Sequence, residues 1–128
     1  MKAFAALIVI VGFAFSAVAA AAGLHQPGYV AISDTSMMGQ FNVRYNTAAA
    51  NGPYIRSEGY AGSFVYFSGR DSAGINFYCY VPTSSPLYQG AVHIKNTVNN
   101  GSILYVTKTT TSSECTNVYS SQASYALD

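Results

Sequence analysis

Charge is scarce in this sequence: 9% of its 128 residues are Asp, Glu, Lys or Arg, and the formal net charge is +1. Setting aside Lys2, five basic residues face five acidic ones. A nucleic-acid binder needs a clustered basic face, and an anionic membrane surface needs a polybasic stretch; the balance here argues against both partners. Histidine and cysteine are equally sparse, with two of each. No C-x-x-C pair, H-E-x-x-H, EF-hand loop, G-x-G-x-x-G or Walker sequence occurs, so neither a metal nor another cofactor is expected.

Catalysis is short of parts for the same reason. A hydrolase needs a base held within reach of its proton, and only His25, near the N-terminus, and His93, on a polar helix face, are available. Gly59-Tyr60-Ala61-Gly62-Ser63 has the wrong spacing for a nucleophile elbow. A glycosidase pair would have to come from Asp34, Glu58, Asp71 and Glu114, and no spacing groups them. Asp34 and Asp71 sit in turn-like stretches, where side-chain to backbone hydrogen bonds are their ordinary role. The expectation is a protein that is not an enzyme.

What is present begins at the N-terminus. Lys2, an apolar run from Ala3 to Phe15, and small residues from Ser16 to Ala22 match the three parts of a secretory signal peptide. It is read as residues 1–21, with cleavage between about 19 and 22. The stretch from Ala3 to Leu24 is long enough to span a bilayer. Its second half is alanine-rich and weakly apolar, however, with no flanking Arg/Lys cluster, which favours cleavage over anchoring. The protein is therefore expected to be secreted or periplasmic, with no membrane attachment after cleavage. Residues 23–128 then form a single small β-rich domain, long enough to close one core.

In an oxidising compartment two cysteines read as one disulfide, Cys79 to Cys115. Abundant Tyr, Ser, Thr, Asn and Gly supply solubility through neutral hydrogen-bonding groups. Net charge near zero weakens mutual repulsion and eases self-association.

The mature chain reads as α+β: a small antiparallel sheet of about five to seven short strands, mostly a meander, with one helix packed on one face. Strands are expected at 29–32, at Phe41–Tyr45 from its strict alternation, at 54–60, and at 63–68 as a central strand. Further strands are expected at 75–81, 103–107 and 115–119, with Ile75, Phe77, Cys79 and Val81 on one face. Ser85-Pro86 reads as a helix start and Asn99-Asn100-Gly101 as a glycine-capped end, so the helix is placed at Pro86–Asn99. Leu87, Ala91, Ile94 and Val98 form its apolar stripe; Gln89, His93 and Asn96 are wet, and Gly90 is read as allowing close approach to the sheet.

Aromatic residues carry the remaining functional signal. Tyr66, Tyr78, Tyr80 and Tyr105 are expected to share the sheet face opposite the helix, where rings with hydroxyls suit a protein or glycan partner. The leading expectation is an exported, non-enzymatic interaction domain using that face or an edge strand. The alternative is a self-assembling extracellular matrix or fibre subunit, with 63–68 as the pairing strand if its edge is free.

Overall fold

Two antiparallel sheets share the alternating segments that the sequence suggests for one. The computed structural model describes residues 28–45 and 50–122. In chain order these form β1 (Val30–Ile32), β2 (Ser36–Gln40), a 3₁₀ turn (Phe41–Tyr45), β3 (Tyr54–Tyr60), β4 (Phe64–Arg70) and β5 (Asn76–Pro82). Helix α1 (Tyr88–Thr97), β6 (Ser102–Lys108) and β7 (Cys115–Gln122) follow. The signal segment 1–21, its cleavage region and His25 lie outside the described residues.

Strands β3, β4 and β5 form a three-stranded meander, and the other sheet has the order β1-β2-β6-β7. Strand β4 is central, with β3 on one side and β5 on the other. Alternation buries Val65, Phe67 and Gly69 of β4 and Phe77, Cys79 and Val81 of β5. Registered pairs Val65–Val81, Phe67–Cys79 and Gly69–Phe77 stack these side chains into one inner face. The four-stranded sheet answers with Met37, Leu104 and Val106, all fully buried.

Close approach between the sheets depends on small residues. A Cβ on Gly69 would collide with Met37 Sδ and come within 2.8 Å of the Tyr54 carbonyl. One on Gly39 would lie 3.0 Å from both Ile55 Cδ1 and Val30 Cγ2. Here glycine serves packing rather than backbone freedom.

Cys79 and Cys115 form the expected disulfide, and it joins the sheets, running from β5 to β7 with Cα atoms 5.1 Å apart. Backbone contacts reinforce the junction: the Tyr80 N–H donates to the Ser113 carbonyl at 3.0 Å, and Tyr80 makes an isolated parallel bridge with Glu114. Lys108 Nζ donates to the Tyr78 carbonyl at 3.0 Å and lies 4.9 Å from the Phe77 ring centre.

Helix α1 packs Ala91 into the shared core, with Leu87, Tyr88, Val92 and Ile94 around it. It is shorter than Pro86–Asn99. The Ser85 side chain accepts from the Leu87 N–H at 3.2 Å, and the Tyr88 N–H donates to the Ser85 carbonyl, so Ser85-Pro86 builds a preliminary turn instead of the first helical turn. At the other end Val98 is extended. Asn99 Oδ1 then accepts from the Gly101 N–H and Ser102 Oγ from the Asn99 N–H, both at 2.9 Å. An Asx turn, not a left-handed glycine, leads into β6.

Three other expectations are corrected. Phe41–Tyr45 is a 3₁₀ turn, because the preceding Ser36–Gln40 takes the strand position against β6 and the chain turns to bury Val43. Five alternating residues are too few to distinguish the two conformations by pattern. Ile75 is 52% exposed. Asp71 Oδ1 accepts from the Ala73 and Ile75 N–H groups, at 2.9 Å each, holding Ile75 in the loop before β5. Gly90 does not approach the sheet, since a Cβ there meets nothing within 4 Å.

Gly90→Ala is therefore expected to stabilise the protein by about 0.5–1 kcal/mol through helix propensity and unfolded-state entropy. A thermal melt should shift upward by a few degrees; a lower midpoint would contradict the open setting of Gly90. The Cys79→Ser/Cys115→Ser pair should cost about 4 kcal/mol, the chain-entropy value for a sequence separation of 36. Urea unfolding of the two forms measures it.

Candidate functional site: an aromatic face on β3–β5

The alternation that fills the core sends the other half of each strand to the opposite face. Register places Tyr60, Phe64 and Pro82 in one row and Glu58, Tyr66 and Tyr80 in the next. Arg56, Ser68 and Tyr78 form a third row, and Tyr54, Arg70 and Asn76 a fourth. This face is opposite the side on which Ala91 of α1 enters the core, as expected.

Five rings make a continuous cluster. Tyr78 and Tyr80 lie 6.4 Å apart with planes inclined by 23°, and Tyr60 and Tyr66 lie 6.1 Å apart at the same inclination. Phe64 meets Tyr60 at 4.9 Å and the edge of Tyr80 at 6.2 Å. Tyr66 meets Tyr78 edge-on at 6.4 Å, which links the two strands. Such tilted and edge-to-face arrangements suit the ring quadrupoles and hold the rings in place.

A polar group borders the rings. Tyr66 donates its hydroxyl proton to Glu58 Oε2 at 2.6 Å, while Arg56 Nε lies 3.1 Å from Glu58 Oε1. Arg56 Nη1 also donates to the Tyr66 hydroxyl at 3.4 Å. The guanidinium groups of Arg56 and Arg70 each stand 5.9 Å from the Tyr54 ring centre. The Glu58 carboxylate, by accepting the phenolic proton, raises the Tyr66 pKa above its ordinary value against the opposing pull of Arg56. Arg56 is raised too, first by its hydrogen bond to Tyr66 and then by the charge of Glu58.

Of the four expected tyrosines, Tyr66, Tyr78 and Tyr80 come together. Tyr105 stands apart on β6 of the other sheet, registered with Met38 of β2 and Tyr119 of β7. The chain passes through α1 between β5 and β6, and β6 joins β2 instead of extending the meander. Tyr60 and Phe64 were not among the expected residues, nor was the Arg56–Glu58 pair. The alternation of Tyr54, Arg56, Glu58 and Tyr60 in β3 was the available signal, since one antiparallel register places all four beside the Tyr66 face.

Other candidate groups are dispersed. Asp71 is occupied by its own loop, Asp34 lies in the β1–β2 turn and Glu114 lies beside Tyr80. His93 is exposed on α1. Among the described residues no three His, Cys, Asp or Glu side chains gather, and no helix is long and apolar enough to cross a membrane. Comparison with protein-family models, curated proteins and solved structures gives no match for this chain. The face itself is thus the basis for a functional reading.

The Tyr66–Glu58 bond makes a pH prediction. Folding raises the phenol's pKa, so the bond's contribution is complete below the unfolded value of about 10 and is lost as pH rises through the higher folded value. Site-resolved NMR of the Tyr66 ring carbons should give an alkaline midpoint above that of an ordinary tyrosine. Glu58→Gln should lower it; an unchanged midpoint would show that the carboxylate is not the cause.

Proposed function

We propose that this protein is an exported, non-enzymatic interaction domain that binds a protein or a glycan on the outer aromatic face of β3–β5. The observation that carries the reading is the ring cluster itself. Tyr60 and Tyr78 remain 53% and 47% exposed although each touches other rings of the cluster. A scattered exposed tyrosine is unremarkable, but contiguous rings on one sheet face form a surface suited to recognition.

The chemistry of the face suits a partner with both apolar and hydroxyl or amide groups. Ring faces offer apolar area at low entropic cost, since each tyrosine has few rotatable bonds. Around them Tyr hydroxyls, Glu58 and Arg56 offer donors and acceptors that fix orientation. The carboxylate of the face is engaged by a guanidinium and a phenol, an arrangement that favours binding over turnover.

Export is supported by the N-terminal pattern and by the disulfide, which persists in oxidising compartments. A low-charge, hydroxyl-rich surface agrees with that location.

Screening the folded protein against immobilised glycans and extracellular protein extracts provides a ligand for the decisive test. Tyr78→Ala/Tyr80→Ala should retain the fold by circular dichroism and weaken binding on the order of tenfold or more, as expected for central aromatic contacts. Unchanged affinity in a folded double variant would remove the aromatic face as the binding surface.

A further inference from the structure

Strand β3 is the outer strand of the meander, and among the described residues no strand pairs with its far side. It is seven residues long and carries one charge of each sign on its outward face, Arg56 and Glu58. Among the other outer strands, the far side of β5 is engaged by Ser113 and Glu114, β1 has only three residues, and β7, eight residues long, carries no charged side chain that would select a register. Strand β4, the expected pairing strand, is flanked on both sides.

We propose that β3 pairs antiparallel with β3 of a second copy of this chain, about a two-fold axis at Ser57. Edge-strand charges ordinarily obstruct such pairing. Here their signs and spacing favour one register. A two-fold axis at Ser57 places Arg56 opposite Glu58 of the second copy, and Glu58 opposite its Arg56. Tyr54 then faces Tyr60, and all seven residues of the strand are used. Opposite charges and aromatic pairs directly across a ladder are both favourable.

Other registers lose on charge or length. An axis at Arg56 sets two arginines against each other, and one at Glu58 sets two glutamates, each over five residues of the seven-residue strand. Axes at Ile55 or Gly59 leave three residues in register. An axis between residues turns the aromatic face of one copy to the core side of the other, because side chains alternate with period two. Self-complementarity about one axis is what an isologous dimer requires.

The same pairing joins two meanders into a six-stranded sheet whose aromatic faces are continuous. Arg56 and Glu58, already 3.1 Å apart within one strand, become members of a four-charge network of alternating sign. Near-zero net charge leaves little long-range repulsion between the copies.

Sedimentation velocity of the full chain produced in an exporting host, over a concentration series, tests the proposal without any ligand. The wild type should show a monomer–dimer equilibrium. Arg56→Glu and Glu58→Arg should each weaken it on the order of tenfold, since the two-fold axis doubles every change. The double reversal Arg56→Glu/Glu58→Arg restores opposite charges and should recover the dimer. A wild type that remains monomeric at its highest soluble concentration overturns the proposal, as does a dimer indifferent to both single reversals.

If the single variants melt early, Ser57→Cys supplies the answer in an otherwise wild-type chain. A reducible covalent dimer through position 57 is expected, and its absence from folded protein under oxidising conditions counts against the pairing. A monomer that still binds a ligand through Tyr78 and Tyr80 would remove this dimer and leave the proposed binding face intact.

Discussion

The disulfide between Cys79 and Cys115 fastens two sheets that are otherwise linked by packing and short backbone contacts, and the rest of the structure depends on that closure. It joins the β5 edge of one sheet to the start of β7 in the other, where the Tyr80–Ser113 hydrogen bond also forms. With the sheets fixed there, Phe67, Met37, Leu104 and Val106 are withdrawn from water into one core. A domain of this size gains a large share of its net stability from one such link.

Closure also assigns opposite duties to the two faces of β3–β5. The inner face must admit the other sheet, so glycine stands at position 69 under Met37 and at position 39 beside Ile55. The outer face has no such neighbour among the described elements, and large rings are accommodated there without steric conflict. Rigidity passes from one face to the other: strands held from the inside present Tyr66, Tyr78 and Tyr80 at fixed spacings on the outside. The aromatic face is thus a consequence of core packing as well as of aromatic content.

Much of this was legible in the chain. Strands β3 to β7 follow from alternation and turn residues, and the inward set Phe77, Cys79 and Val81 from period two alone. The apolar stripe through Ala91 locates α1, although its ends differ because Ser85-Pro86 and Asn99 form turns beside it. Strand β2 is not legible in the sequence because Met37-Met38-Gly39-Gln40 has little strand propensity; its pairing with β6 is a non-local interaction that overrides local preference. Phe41–Tyr45 failed in the opposite direction, with a strand-like pattern in a turn.

By itself the sequence determined composition, alternation and the number of cysteines, and therefore an α+β domain with one disulfide and tyrosines on strand faces. Those properties are local or depend on counting. Only the tertiary structure decided that the strands divide into two sheets, because pairing partners far apart in the chain are chosen by mutual fit. That division separates Tyr105 from Tyr66, Tyr78 and Tyr80, brings Tyr60 and Phe64 to them, and leaves β3 at an edge with Arg56 and Glu58 facing outward. The residues of the candidate surface were present in the sequence, but their proximity is a product of sheet register.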